Sequence, residues 1–183
     1  MPENKNPWKT HFRRQIYENP WIKVREDAVT RPDGKPGIYG VVSMKNRAVG
    51  VVPLHADGTV TLVGQFRYPT NVYSWEIPEG GCPEGESLLD CARRELREET
   101  GLSAANIEPL GGEIHLSNSV CDERGTLFLA TDLTQGEAAP EGTEELQLQR
   151  VPLEDAVKMA LSGEINDGLS VLALVLAARQ IQA

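Results

Sequence analysis

Apolar and polar residues alternate in short runs along most of this chain, a pattern typical of β-strands. Turn-rich segments at 31–37 and 55–59 separate two pairs of these runs. They therefore predict two hairpins, one joining 21–29 to 38–44 and one joining 48–54 to 60–66. Residues 1–20 are polar and contain three prolines, so we expect an arm with little regular structure there. Further strands are expected at 75–77, 107–116, 125–131 and 146–151.

Helical periodicity appears in three places in the second half of the chain. Ser87 is placed to cap the first helix, and Gly101 follows it as the left-handed residue that ends a helix. Pro152 suits the first turn of the second helix, which ends near Gly163. The predicted helices cover 88–100, about 152–163 and about 168–181. Few helices among many strands predict an α+β fold.

The chain length and composition place the protein among globular domains. Its 183 residues suit one domain with a small appendage, which we assign as residues 46–183 and 1–45, respectively. The net charge of −9 and the pI near 4.9 argue against nucleic acid or an anionic membrane as partner. Three cysteines without a Cys-x-x-Cys pair indicate a reducing compartment. The N-terminus lacks an apolar secretory segment, so we expect a cytoplasmic protein.

Three glutamates of the predicted helix 88–100 fall on one narrow arc. At about 100° per residue, Glu95, Glu98 and Glu99 span roughly 100° of the helix circumference and about 6 Å of rise. Carboxylates held so close repel one another, and the three arginines of the helix cannot all reach them. A divalent cation such as Mg²⁺ or Mn²⁺ is one solution. A solvated helix face with Glu–Arg pairs is the alternative.

The three glutamates belong to a longer sequence motif that includes the residues on both sides of them. It begins at Gly80, reaches Glu86 after five residues, and ends after seven more with Arg-Glu-Leu-Arg-Glu-Glu-Thr-Gly-Leu at 94–102. Each defined position of this 23-residue spacing matches the Nudix box. The chain therefore resembles the Nudix hydrolases, and its order of elements is similar over most of residues 21–180.

The resemblance implies an α/β/α sandwich with a mixed sheet that cleaves a pyrophosphate bond with Mg²⁺ or Mn²⁺. The substrate would be a nucleoside diphosphate linked to another group. Gly80 would let its loop approach the metal closely, and Glu86 and Arg94 would hold that loop to the helix. By position, the metal ligands would be Glu95, Glu98, Glu99 and the backbone carbonyl of Glu79, and the structural residues would be Gly80, Glu86, Arg94 and Gly101.

A second pair of segments resembles one branch of that family. Gln-Phe-Arg-Tyr-Pro at 65–69 and Trp-Glu-Ile-Pro-Glu-Gly-Gly at 75–81 are similar to the ADP-ribose pyrophosphatases and nucleoside diphosphate sugar hydrolases. This implies substrate-binding roles for Arg67, through the phosphates, and for Glu76. From the residues alone, a structural salt bridge is an equal alternative for Arg67. The branch also adds an N-terminal β unit exchanged across a homodimer, which makes Tyr39 a candidate for stacking on a base.

The same branch has an acidic loop before its penultimate helix. In this chain the loop supplies Glu144, Glu145 and Glu141, in that order of preference as the general base. A solvated acidic loop is an equal alternative for each of them. In place of the Ser-Pro-Gly-like run of ADP-ribose enzymes, Leu-Ser-Asn-Ser-Val-Cys-Asp-Glu occupies 116–123. This departure favours a broader choice among nucleoside diphosphate sugars, such as ADP-ribose and GDP-mannose.

Three functions are therefore open at the level of the sequence. The first is a metal-dependent hydrolase that converts a nucleoside diphosphate sugar to a nucleoside monophosphate and a sugar phosphate. The second is a hydrolase of nucleoside triphosphates or dinucleoside polyphosphates. The 65–69 segment and the N-terminal unit argue against this second function. The third is a catalytically silent Nudix module that binds a nucleotide sugar, although all the carboxylates of the box are present.

Overall fold

The computed structural model describes residues 5–138 and 145–182. They form two compact units. The first contains the residues up to Asn46 together with His115–Glu123, and the second contains Arg47–Ile114 and the residues from Arg124 onward. Within the described ranges, no helix is long and apolar enough to cross a membrane.

The first unit is built on a three-stranded antiparallel sheet in the order β1–β2–β3. The hairpin predicted from the turn at 31–37 is confirmed, since β2 pairs with β3 from Ile22 and Met44 to Thr30 and Pro36. The prediction of an unstructured arm over 1–20 was wrong, because residues 9–18 form β1. All ten residues of β1 are exposed and the pairing has two register shifts, so no apolar alternation marks the strand. The strands are β1 (Lys9–Glu18), β2 (Ile22–Thr30) and β3 (Pro36–Met44).

A later segment of the chain, His115–Glu123, extends this sheet at the edge of β3. The backbone N–H of Val42 donates to the carbonyl of Val120 at 2.9 Å, and the N–H of Asp122 donates back to Val42 at 3.1 Å. The Asp122 carboxylate also accepts from the Ser43 hydroxyl at 2.7 Å and from the Met44 N–H at 3.1 Å. The first unit is therefore assembled from two separate stretches of sequence.

The second unit contains two sheets, in the orders β10–β5–β6 and β7–β4–β9–β8. The hairpin predicted for 48–54 and 60–66 was wrong, because β4 and β5 lie in different sheets and share one bridge between Leu54 and Val60. Parallel β9 and antiparallel β7 instead occupy the two edges of β4, so its sheet is mixed. The strands are β4 (Arg47–Pro53), β5 (Thr59–Arg67), β6 (Val72–Glu76), β7 (Glu79–Cys82), β8 (Leu102–His115), β9 (Arg124–Gln135) and β10 (Gln147–Pro152).

Three helices complete this unit, and the first has the bounds predicted from its caps. The Ser87 hydroxyl accepts from the Asp90 N–H at 3.1 Å, and Gly101 ends the helix with φ of 72°. Gly101 must be glycine, since a Cβ would lie 2.7 Å from the Gly136 carbonyl oxygen in a left-handed backbone. The helices are α1 (Leu88–Thr100), α2 (Leu153–Ser162) and α3 (Gly168–Ile181).

Helices α1 and α3 cover opposite faces of the β7–β4–β9–β8 sheet. Successive side chains of a strand point to opposite faces. Val49 and Val51 of β4 pack in one buried cluster with Leu96 of α1. On the alternate positions of the sheet, Leu169 of α3 approaches Gly125 so closely that a Cβ there would lie 2.8 Å from it. This layering is the α/β/α arrangement that the resemblance implies.

Candidate active site

The loop at β7 passes in direct contact with the acidic face of α1. A Cβ at Gly80 would lie 2.2 Å from Cδ of Glu95 and 2.4 Å from its Oε2, so any side chain at this position would displace the Glu95 carboxylate. The backbone N–H of Glu79 donates to Oε2 of Glu99 at 3.1 Å. Glu95 and Glu99 are both buried. The first residues of β7 and the two glutamates are thus fixed against each other.

Arg94 ties the loop and the helix together through one guanidinium group. Its Nε and Nη2 donate to the two carboxylate oxygens of Glu86 at 3.1 and 2.9 Å, and Nη2 also donates to the Gly81 carbonyl at 3.1 Å. The bond with Glu86 is the main reason that the pKa of Arg94 is raised and the pKa of Glu86 is lowered. These are the contacts that a loop-to-helix clamp requires.

The same guanidinium also reaches the predicted metal ligands. Nη1 of Arg94 donates to Oε1 of Glu95 at 2.7 Å and to Oε2 of Glu98 at 3.0 Å. Of the three arginines in the helix, which were not expected all to reach the acidic arc, Arg94 does reach it. Among the described residues, the groups of three that bring possible ligand atoms within 4.8 Å of one another do not include Glu95, Glu98 or Glu99.

Arg67, a half-buried residue at the end of β5, forms an ion pair with the buried Glu76. Its Nε donates to both oxygens of Glu76 at 2.9 and 3.0 Å, and Nη2 donates to Glu76 Oε2 and to Glu79 Oε1, the latter at 2.7 Å. Glu76 is only 2% exposed. Burial tends to lower the pKa of Arg67, but Glu76 and Glu79 outweigh it and hold the pKa above its usual value. Within the described chain, Nη1 has no hydrogen-bond partner.

Arg67 lines a cavity of about 670 Å³ that the sequence did not indicate. Asn166 and Asp167, directly before α3, also line it, and one carboxylate oxygen each of Asp167, Glu76 and Glu79 lie within 4.8 Å of one another. Asp167 caps α3, because its Oδ2 accepts from the Ser170 N–H at 2.7 Å. An acidic residue directly before a predicted helix was the available signal, and it indicated a cap only.

Ser170 joins this wall to the strand that carries Glu76. Its buried hydroxyl accepts a hydrogen bond from the backbone N–H of Ile77 at 3.0 Å. Ile77 directly follows Glu76 at the end of β6. Although 93 residues separate Ile77 from Ser170, the start of α3 and the end of β6 are therefore held together at the cavity.

The residues around Gly80 fit a divalent cation. Oε2 of Glu79 is buried and has no hydrogen-bond partner among the described residues. Burial raises the pKa of Glu79 well above its usual value, and the nearby Asp167 and Glu76 add to the rise. The donor set consists of carboxylate and carbonyl oxygens, which suit Mg²⁺ and Mn²⁺. Negative charge exceeds the local cations, and a divalent ion would offset the difference.

The other predicted site residues lie in different parts of the structure. Tyr39 belongs to the first unit, where its hydroxyl donates to the Ser119 carbonyl at 2.7 Å. Its ring meets the ring of Trp8 edge-on at 5.2 Å between centroids. Glu141 and Glu144 lie outside the described residues, while Glu145 is exposed just before β10.

Comparison of the sequence with known proteins identifies the family to which the chain belongs. Residues 44–171 match the NUDIX domain, and residues 8–42 match the nucleoside diphosphate sugar hydrolase N-terminal domain. The chain is 32% identical to the ADP-ribose pyrophosphatase of Bacillus subtilis (strain 168), over 91% of this chain and 90% of that protein. It is 29% identical to the methanol dehydrogenase activator of Bacillus methanolicus, with the same coverage.

A solved structure has the same fold. The crystal structure of an ADP compounds hydrolase matches 98% of this chain and 97% of its own, with a TM-score of 0.87. The identity between the two chains is 21%, so this likeness concerns the fold alone.

Proposed function

Since the chain belongs to the NUDIX domain family, we propose that it hydrolyses the pyrophosphate bond of nucleoside diphosphate sugars. The products are a nucleoside monophosphate and a sugar phosphate. The observation that carries the proposal is the close approach of Gly80 to Glu95, next to Glu79, which lines the same cavity as Arg67. The ADP-ribose pyrophosphatase relative, which aligns over nearly the whole chain, supports this substrate class.

A divalent cation, Mg²⁺ or Mn²⁺, is the cofactor of this reaction. Glu95, Glu98, Glu99 and the backbone carbonyl of Glu79 are the residues proposed to hold it. When bound, such an ion neutralises phosphate charge and lowers the pKa of a water molecule. Arg94 already positions two of these carboxylates, because Nη1 contacts both Glu95 and Glu98.

Arg67 binds the substrate phosphates through the part of its guanidinium that Glu76 and Glu79 leave free. Glu76 occupies Nε, and Glu76 and Glu79 occupy Nη2, which leaves Nη1 for an anionic oxygen. Glu76 therefore acts through Arg67 and is a positioning residue. The salt bridge and the phosphate contact, treated as alternatives from the sequence, are compatible in this geometry.

The proton of the attacking water requires a carboxylate from outside the box. We assign this role to Glu144, then Glu145 and Glu141, which precede β10 in the sequence. Testing Glu144→Gln, Glu145→Gln and Glu141→Gln separately identifies the base as the variant with the largest fall in kcat.

The assembly and location of the enzyme are also proposals. The first unit, which covers the proposed 1–45 element, leaves Phe12, Trp21 and Ile38 largely exposed. Such an apolar surface suits a homodimer contact, and Tyr39 in this unit is proposed to stack on a base. Residues 46–183 would form the catalytic domain. Three free cysteines are consistent with a reducing, cytoplasmic setting.

A panel of nucleoside diphosphate sugars with product identification by mass spectrometry tests the function. We expect turnover of ADP-ribose or GDP-mannose with Mg²⁺, complete loss in EDTA, and loss in Glu99→Gln. Hydrolysis that persists in EDTA would contradict the metal mechanism. Pyrophosphate release from a nucleoside triphosphate would instead identify the second function, and tight calorimetric binding without turnover would identify a silent module.

A further inference from the structure

Two buried cysteines and a glutamate form a compact cluster beside Arg94. Cys82 ends β7, Glu86 lies in the following loop, and Cys91 lies in the first turn of α1. One ligand atom from each residue lies within 4.8 Å of the other two. Both cysteines are free thiols, 4% and 0% exposed, respectively. The proposed hydrolysis mechanism makes no use of either thiol.

This donor set differs in kind from the oxygen ligands at Gly80. Two thiolates and a carboxylate suit a thiophilic cation such as Zn²⁺, whereas Mg²⁺ prefers oxygen alone. Zn–S bonds of about 2.3 Å in a tetrahedral site put neighbouring sulfur atoms about 3.8 Å apart. The ligand atoms of the cluster lie within 4.8 Å of one another, so small side-chain movements would bring the two sulfur atoms to this separation.

We propose that Cys82, Glu86 and Cys91 bind a thiophilic divalent cation of the Zn²⁺ class at a site separate from the hydrolytic metal. Binding releases the two thiol protons to solvent, and the ion forms bonds to two sulfur atoms and one carboxylate oxygen. The complex carries one net negative charge. Nη2 of Arg94, 3.4 Å from Sγ of Cys91, offsets that charge and donates to the sulfur.

The same ion would couple this cluster to the hydrolytic site. Both carboxylate oxygens of Glu86 accept from Arg94, so an ion bound to Glu86 would compete with Arg94 for the charge of this carboxylate. Arg94 is also bonded to Glu95 and Glu98. Glu86 is partly exposed, which gives the ion a route from solvent to the buried sulfur atoms.

Titration of the reduced protein with Co²⁺, a spectroscopic probe for Zn²⁺ sites, tests the proposal. Saturating Mg²⁺ is present throughout to occupy oxygen sites, and no substrate is added, so the result does not depend on hydrolysis. We expect one Co²⁺ per chain with a thiolate-to-cobalt charge-transfer band, and displacement of that ion by Zn²⁺. Binding without the charge-transfer band would overturn the proposal.

Three single variants and one control locate the ligands. Loss of an outer-shell partner alone costs about 10–100-fold in metal affinity, so Cys82→Ser and Cys91→Ser should each weaken binding by more than that. Glu86→Gln should weaken it as well. Cys121→Ser, which removes the cysteine outside the cluster, should bind Co²⁺ as the wild type does. Circular dichroism confirms the fold of each protein, and unchanged Co²⁺ affinity in the two folded cysteine variants would reject the site.

Discussion

Arg94 shows how one side chain organises several parts of the site. Its guanidinium contacts the carboxylates of Glu86, Glu95 and Glu98, the carbonyl of Gly81 and the sulfur of Cys91. Charge-assisted bonds of this kind are stronger than neutral ones. Because these partners share one donor group, substitutions among them should have non-additive effects on stability and activity.

Gly80→Ala should disable the site with little effect on the rest of the fold. The new Cβ would lie 2.2 Å from Cδ of Glu95, so the carboxylate must move away from its position. We expect the apparent affinity for Mg²⁺ to fall about 10–100-fold, together with kcat. Gly112→Ala is the control, because a Cβ there meets nothing within 4 Å. Equal metal dependence in the two variants would contradict this role for Gly80.

Arg67→Ala should lower both stability and substrate binding. It leaves the buried carboxylate of Glu76 without its main partner, which should cost about 3 kcal/mol in the free energy of unfolding. The KM for a nucleoside diphosphate sugar should rise as well, since Nη1 is lost from the cavity. Urea unfolding and steady-state kinetics measure the two effects. Arg150→Ala, which breaks an exposed pair with Asp57, should change neither.

At the scale of elements, the site depends on how β7 enters α1. A four-residue strand, a short loop and a capped helix follow one another in the sequence and bring Gly80, Glu86 and Glu95 together. These elements are local in sequence, so their residues form a continuous motif that can resemble a known family. Arg67 and Glu76 also lie in short segments that carry a resemblance, and β5 and β6 pair directly in an antiparallel hairpin.

Removing the cap of α1 should weaken the element without removing a site residue. Ser87→Ala deletes the hydroxyl that accepts from the Asp90 N–H, and we expect a loss of about 1 kcal/mol in the free energy of unfolding. Ser162→Ala is a matched control, because its exposed hydroxyl contacts only the Met159 carbonyl at the end of α2. Chemical denaturation of both variants measures the difference, and equal midpoints would show that the cap contributes nothing.

Other elements could not be predicted because no local pattern marks them. Strand β1 is exposed along its whole length, so apolar alternation is absent. Asp167 meets Glu79 only through the packing of α3, 88 positions further along the chain. The separation of β4 from β5 likewise depends on β9, which pairs with β4 from far along the sequence. Hydrophobic periodicity carries no information about such long-range pairings.

At the scale of the whole molecule, the exposed apolar residues of the first unit should mediate self-association. Phe12 of β1 is 64% exposed. We expect the protein to be a dimer by size-exclusion chromatography with light scattering, and Phe12→Glu to increase the monomer fraction, because burying an unpaired charge is unfavourable. Leu161→Glu, at an exposed leucine of α2, should leave the dimer intact. A monomeric wild-type protein would contradict the dimer.

Because the first unit is built from two separate stretches of sequence, an N-terminal truncation would remove only one of them. A truncation that starts at Arg47 would delete β3 but retain His115–Glu123, the segment that hydrogen-bonds to Val42. The carbonyl of Val120 and the amide of Asp122 would then be open to solvent as a free strand edge. Free edges promote aggregation, so the shortened polypeptide should be less soluble than its net charge alone would suggest.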